Sequence, residues 1–319
     1  MSYHTSSDTA KKILLNAFDM NCVGHINHGL WTHPNDQSHR FDELSYWTDL
    51  AKTLEKGLFD GLFIADITGS YDVYQNGLDL TLRESIQLPS HDPTTLVSAM
   101  AAVTEHLGFG ITVNLGYENP YQFARRFASL DHLTRGRIGW NIVTGYLDSA
   151  ARLVGQAGLA DHDLRYAQAE EFLQLCYKFW EGSWQDDAIQ KDKVKRIFTD
   201  PSKVHVVNHH GQFYQSQGVF QVAPSIQRTP VLFQAGASPK GLDLATQHAE
   251  AMFIGGESIE KAQQQVKKIR QLAVEQGRHA EDIKIFVGIT VVTAETDALA
   301  EQKFVEYRRY ASPEAGLAH

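Results

Sequence analysis

Cys22 and His25 stand three residues apart in Asn21-Cys22-Val23-Gly24-His25-Ile26-Asn27-His28, just past the first apolar run of the chain. A thiol and an imidazole this close form either a nucleophile with its base or a small buried Cys beside a packing His. His25, His28, His33 and His39 also raise a metal site. They carry no H-E-x-x-H or paired-Cys spacing, so no metal is expected. Asp66 closes the run Phe63-Ile64-Ala65-Asp66, where a carboxylate binds a ligand N–H, takes a proton, or simply caps a turn. Asn114 and Asn141 end two further apolar runs. Amides there hold the edge of a heteroaromatic ring without adding charge, or satisfy the backbone of a turn.

The segment Gln234-Ala235-Gly236-Ala237-Ser238-Pro239-Lys240-Gly241 points to a phosphate. Ser238 is a good N-cap and Pro239 a good first helical residue. Free backbone N–H groups and the positive end of the helix then face one spot, and small residues permit close approach. Tyr166, at the start of another helix, is placed to reach a ligand with its hydroxyl, whereas Phe172, Tyr177, Phe179 and Trp180 follow helical spacings that suit a core. His209 and His210 fall in a charge-mixed stretch and are expected to be exposed. Arg83 and Lys240 are the cations that could serve a carboxylate substrate, or they are ordinary surface charges.

Gathering these positions takes a particular scaffold. Strands are expected at Ile13–Phe18, Gly61–Ala65, Gly108–Val113, Arg137–Val143, Pro230–Gln234, Ala251–Ile254 and Ile283–Val292. Helices are expected at Leu44–Lys56, ended by Gly57, and at Asp92–His106, Pro120–Leu133, Arg165–Trp180, Ser238–His248, Ile259–Gln276 and Thr296–Arg308. Strand–helix alternation at this spacing means βαβ units and a parallel sheet. The apolar strands suit burial on both faces. The first strand is not followed by G-x-G-x-x-G, so a nicotinamide Rossmann site is not expected. The reading is an α/β fold, a single (β/α)8 barrel domain over 1–319 with insertions at 68–91, 145–163 and 182–228. Residues outside those insertions are too few for eight complete units, and the chain stops at AGLAH with no visible terminal element. The last βα unit is therefore expected to be missing.

Composition narrows the function. The 319 residues carry a net charge of −9, which argues against a nucleic-acid partner. Two cysteines exclude a disulfide scaffold. No apolar run approaches a membrane span, and MSYHTSSDTAKK lacks the apolar core of a signal peptide, so a cytoplasmic enzyme is expected.

The stretches AFDMNCVGHINHGLW, FDGLFIAD, LDHLTRGRIGWNIVT, HDLRYAQAEEFLQLCYKFWEGSW and TPVLFQAGASPKG together resemble the flavin-dependent, luciferase-like monooxygenases. The resemblance covers essentially the whole chain. It is strongest to the branch holding nitrilotriacetate, dibenzothiophene-sulfone and long-chain alkane monooxygenases, and MNCVGH is most like the alkane members. It implies a barrel of the bacterial-luciferase type with FMN at its C-terminal mouth. Asp66, Asn114 and Asn141 would flank the flavin ring, and Tyr166, Ala237 and Ser238 would hold the phosphate. Cys22, His25, Tyr71, Gln87 and His319 match polar pocket positions, while Tyr146 stands where the alkane members have a His. The implied reaction is two-component. An NAD(P)H:flavin reductase supplies reduced FMN, and O2 gives one oxygen atom to an organic substrate by way of a flavin C4a-peroxide. His25 and Tyr146 are the candidates for stabilising that peroxide. A homodimer or homotetramer is implied by analogy. A deazaflavin-dependent oxidoreductase and a non-catalytic or truncated flavin-binding relative stay open as alternatives.

Overall fold

The computed structural model describes residues 12–319. In chain order the elements are β1 (Asn16–Met20), α1 (Leu44–Lys56), β2 (Gly61–Ala65), α2 (Asp79–Arg83), α3 (Val97–Ala102), β3 (Gly108–Asn114), α4 (Pro120–Thr134) and β4 (Ile138–Val143). Then follow α5 (Asp148–Leu153), α6 (His162–Trp180), β5 (Ile189–Asp192), β6 (Ile197–Thr199), β7 (Val206–His210) and β8 (Gln215–Val219). The chain continues through β9 (Val231–Gln234), α7 (Pro239–His248), β10 (Ala251–Ile254), α8 (Ile259–Glu275), β11 (Lys284–Val287), α9 (Asp297–Tyr310) and α10 (Pro313–Ala318).

The seven strands expected from the sequence form one parallel sheet, in the order β1-β2-β3-β4-β9-β10-β11. The sheet curls strongly. Phe18 on β1 stacks on Phe253 of β10 at 5.4 Å between ring centres, although four strands separate them in the sheet. Phe63 and Phe233 complete this aromatic filling of the concave side. The outer side packs on helices. In α1, Trp47, Ala51 and Leu54 recur at one-turn spacing and are buried. Phe123, Phe127, Trp140 and Phe172 form the aromatic centre between α4, β4 and α6. Arg137 caps this layer by donating to the carbonyls of Ala101, Thr104 and Leu107 at 2.9–3.1 Å, which would otherwise be left unpaired beyond α3.

Several expectations are corrected. The helix expected over Asp92–His106 is a short 3-10 turn followed by α3. Asp92 caps the turn by accepting from Thr94 N at 2.8 Å. The strand expected to reach Val292 ends at Val287. Gly57 ends α1 without a left-handed conformation, and Leu58 takes that role with φ 61°. His209 is buried rather than exposed. Its Nε2 meets Glu171 Oε1 at 3.1 Å and its Nδ1 meets Lys178 Nζ at 3.0 Å, an arrangement that leaves the imidazole proton on Nε2. Glu171 also accepts from Phe213 and Tyr214 N–H, so one part-buried carboxylate fastens the β7–β8 ribbon to α6. The end of the chain is not featureless either, because α10 closes it, capped by Ser312.

Leu58 carries a left-handed backbone and is 84% exposed, so it gains little burial in return. Leu58→Gly should raise the unfolding free energy by about 1 kcal/mol, read from a denaturant midpoint.

Candidate active site

The polar groups collect beyond the C-terminal ends of β1 to β4 and of β9, where the loops of a parallel α/β fold leave space for a ligand. Two loops are tied together first. Ser149 at the start of α5 donates to Ser70 O at 2.8 Å and accepts from Ser70 N at 3.0 Å. Gly69, with φ 102°, lies so close to α5 that any Cβ would sit 2.7 Å from Ala150 N. This contact carries Tyr71 to Tyr146, whose hydroxyls meet at 2.5 Å.

The same loop pairs with the segment after β1. Cys22 bridges Ser90 and Gly24 bridges Ile86, and Gln87 N donates to Gly24 O at 2.9 Å. Gln87 is thereby buried with φ 52°, and its amide becomes a hub. Gln87 Oε1 accepts from Tyr71 at 3.3 Å, while Nε2 lies 3.2 Å from His25 Nδ1 and 3.3 Å from His319 Nε2. The terminal helix delivers His319. Ala315 and Ala318 of α10 pack with Tyr71, Leu80 and Ile86, and Ser312 N donates to His28 O at 2.9 Å. The His319 ring stands edge-on to Tyr71 and to His28, at 4.9 Å from each.

The donor count fixes the protons. An amide nitrogen only donates, so His25 Nδ1 and His319 Nε2 must be acceptors and both rings are neutral. His25 Nε2 then carries an N–H, buried and without a partner among the described residues. Burial agrees, pushing His25 and His28 down to about 4 each, with neighbouring histidines adding to the effect. Burial also raises Tyr71 far above the usual phenol range, and the hydrogen bond with Tyr146 adds to it. The Cys22 thiol is pushed up to about 12, first by burial and then by Asp19 and Asp66. A thiolate nucleophile at Cys22 is thus disfavoured.

A second group lies beside this network. Asn141 on β4 is 5% exposed. Its Nδ2 donates to Thr112 Oγ1 at 2.9 Å, and its Oδ1 has no partner among the described residues. Asn114 caps its own turn by accepting from Gly116 N. Asp66 is pushed up to about 7, chiefly by burial. Across the turn after β9, Ser238 accepts from Gly241 N at 3.0 Å, and Gln234 Oε1 accepts from Gly236 N. The Tyr166 hydroxyl overhangs this turn, 2.9 Å from where a Cβ on Gly241 would sit. Ala237 is exposed at the tip of the turn.

The candidates therefore fall into two sets. Tyr71, Gln87, Tyr146, His25 and His319 form one connected chain, with Cys22 on the adjoining segment, while Asp66, Asn114 and Asn141 at the strand ends and Ala237 and Ser238 on the turn after β9, with Tyr166 of α6 over it, make up the other. His33 and His39 do not join them, and His33 pairs with Glu306 at 3.2 Å. Arg83 faces Glu84 and Glu314 and is exposed, as is Lys240. Thr112 is not among the residues the sequence offers for the site, while Gln234 and His28 stand there only within the phosphate segment and the histidine run. A polar Thr112 in the run Gly-Phe-Gly-Ile-Thr-Val-Asn, in register with Asn141, was the available signal.

A curled parallel sheet with its polar groups gathered past the strand ends defines a small-molecule site on an α/β barrel-like scaffold. The chain belongs to the luciferase-like monooxygenase family, which matches residues 22–318. It is 50% identical to the long-chain alkane monooxygenase of Geobacillus thermodenitrificans (strain NG80-2) over 97% of this chain and 70% of that protein. It is 51% identical to the dimethyl-sulfide monooxygenase of Hyphomicrobium sulfonivorans over 97% of this chain and 64% of that protein. The chain thus spans about two thirds of the length of these relatives. A crystal structure of a long-chain alkane monooxygenase superposes with a TM-score of 0.95, at 50% identity, covering 97% of this chain and 71% of that one. A riboflavin lyase solved with a modified FMN and riboflavin superposes with a TM-score of 0.92, at 39% identity, covering 97% of this chain and 69% of that one.

The raised Asp66 carboxyl makes a signed prediction. Its folded-state value, about 7, exceeds the ordinary 3.8, so its contribution to stability is present below about 4 and lost as pH rises through 7. Asp66→Asn should therefore raise the melting temperature of flavin-free protein at pH 8, with the gain vanishing toward pH 4 in a melting series.

Proposed function

We propose that this chain is the oxygenating component of a two-component flavin-dependent monooxygenase. It takes reduced FMN from a separate NAD(P)H:flavin reductase and uses O2 to place one oxygen atom on a small organic substrate of alkane, sulfone or amino-polycarboxylate type. The observation that carries the reading is the unpartnered Oδ1 of Asn141. A buried acceptor left unpaired costs about 1–3 kcal/mol, so it calls for a ligand donor, and a flavin ring supplies an N–H. Beside it, the turn after β9 offers backbone donors, the positive end of a ten-residue helix and the Tyr166 hydroxyl, the set a phosphate needs. Both halves fit FMN.

In this reading Asp66, Asn114 and Asn141 hold the ring, and Tyr166, Ala237 and Ser238 hold the phosphate. Bound reduced FMN supplies the activation of O2 for transfer of one oxygen atom. The protein orients and protects. His25 presents its Nε2–H as a neutral donor. Tyr71 keeps its proton at physiological pH, so it passes hydrogen bonds from Tyr146 to Gln87 and does not act as a base. Cys22 shapes the pocket as a neutral thiol. The loop from 68 to 91, pinned at Gly24 and Ser149, keeps water from the site.

The same reading extends to the architecture. The curled sheet is seven strands of a (β/α)8 barrel, which closes with one further strand between β11 and β1. No helix among the described residues is long and apolar enough to cross a membrane. We place the protein in the cytoplasm as a homodimer or homotetramer without nucleic-acid partners.

Fluorescence titration with reduced FMN and with a reduced deazaflavin, followed by oxygen uptake in a coupled reductase assay, tests the reading. FMN should bind more tightly, and substrate-dependent oxygen consumption should follow. Absence of FMN binding overturns it. Gly241→Ala puts a methyl 2.9 Å from the Tyr166 hydroxyl and Asn141→Leu removes the ring acceptor. Each should weaken FMN about tenfold or more, with the folded state retained by circular dichroism.

A further inference from the structure

The loops after β3 and β4 hold buried polar atoms that the network around Gln87 leaves out. The Tyr117 hydroxyl and Arg165 Nε are each buried without a partner among the described residues. The turn Leu115–Tyr117 packs on α6, and Arg165 stands in the first turn of that helix. The two groups feel each other: burial raises the Tyr117 hydroxyl, and the Arg165 charge opposes the rise. Arg165 donates once within the chain, from Nη1 to Ala160 O at 2.5 Å. The acids around it are engaged elsewhere, Glu118 with Arg126, Asp148 with Arg152 and the Leu159 N–H, and Asp163 with His162.

Asn114 adds a donor whose direction is fixed. Its Oδ1 accepts from Gly116 N at 3.0 Å, and a backbone N–H only donates, so the amide cannot be turned round. Its Nδ2 is left without a hydrogen bond among the described residues. Gly145, with φ 75°, lies between the groups. A Cβ there would sit 2.6 Å from Asn114 Nδ2 and 3.5 Å from the Tyr117 hydroxyl oxygen, so any other residue would strain the backbone and cover both.

The set is one-sided. Arg165 and Asn114 Nδ2 can only donate, and Tyr117 keeps its proton to donate as well. The guanidinium repels a cation, and a lone carbonyl would leave part of it unpaired, whereas an oxyanion meets its fork with two oxygens and offers more to the neighbours. We propose that Arg165, Tyr117 and Asn114 form an oxyanion subsite, which takes the acidic group of a ligand. Tyr166, the next residue along α6, holds its hydroxyl over the turn after β9, so the same helix serves the place given above to the flavin phosphate. The anion therefore has two sources, that phosphate or an acidic group on a separate molecule. The subsite itself rests on the donors alone, and the flavin reading enters only in naming the first source.

The test titrates inorganic sulfate into the flavin-free chain by calorimetry, and FMN and riboflavin by fluorescence, for wild type, Arg165→Gln and Tyr117→Phe. Arg165→Gln, which keeps an amide hydrogen for Ala160 O, should weaken sulfate about tenfold, and Tyr117→Phe about threefold. If the flavin phosphate is the anion, FMN competes with sulfate, and Arg165→Gln weakens FMN about tenfold while riboflavin changes less than about twofold. If the anion is separate, sulfate binds the FMN-saturated chain equally well and both flavins respond alike. Either result supports the subsite and identifies the source. Sulfate binding that is absent, or indifferent to both substitutions, together with an unmoved FMN-to-riboflavin ratio, overturns it. Should Arg165→Gln fail to fold, Tyr117→Phe decides, since that hydroxyl bonds to no other described residue. Failure of both flavins to bind counts against the monooxygenase reading alone, because the sulfate titration does not depend on it.

Discussion

The side-chain amide of Gln87 is the interaction on which the rest of the site depends. It links the loop before α3, the segment after β1 and the terminal helix, parts of the chain more than two hundred residues apart. Its single carbonyl and both amide hydrogens are spent on Tyr71, His25 and His319. To reach them Gln87 adopts φ 52°, a conformation costing an ordinary residue roughly 1–2 kcal/mol. The backbone bond to Gly24 and the burial of Ile86 hold it there. Because an amide nitrogen cannot accept, this one residue also decides which nitrogen of each imidazole carries the proton.

The consequence is a polar site assembled almost without charge. His25 and His28 stay neutral, Tyr71 and Cys22 stay protonated, and Asp66 is drawn toward protonation near neutrality. Burial is the first cause in each case, and it acts on acids and bases in opposite directions, toward the uncharged form of each. Such a pocket suits chemistry whose reactive intermediates must be kept from water and stray protons.

Much of the scaffold was legible because its signals are local. Runs such as Gly61–Ala65 and Ala251–Ile254 have no polar interruption, and Leu44–Lys56 has a clean apolar stripe. The N-cap at Ser238 and the cap at Asp92 were readable from residue type alone. What escaped was set by partners distant in sequence. His209 is buried in a charge-mixed stretch because Glu171 and Lys178 flank it, and α10 forms where Ala315 and Ala318 pack on Tyr71 and Ile86. The network residues were gathered by resemblance, not by spacing, since no periodicity places Tyr71, Gln87, Tyr146 and His319 together. Leu58 defeated the glycine rule because the left-handed position lies one residue past Gly57.

The two halves of the site rest on unlike supports, and this bears on how one scaffold serves different substrates. Asn141 sits within β4 against Thr112 of β3, and Ser238 opens a helix directly after β9, so the half assigned to the flavin is fixed by the sheet. Tyr71, Gln87, Tyr146 and His319 reach the site from loops and a short terminal helix, held by a few hydrogen bonds and one small apolar cluster. A site whose geometry must be kept is best built on strands, whereas loops can change without disturbing the core. A backbone matching a long-chain alkane monooxygenase at a TM-score of 0.95, in a chain 51% identical to a dimethyl-sulfide monooxygenase, fits that division. Chemistry common to such proteins would rest on the sheet, and the choice of guest on the loops and α10.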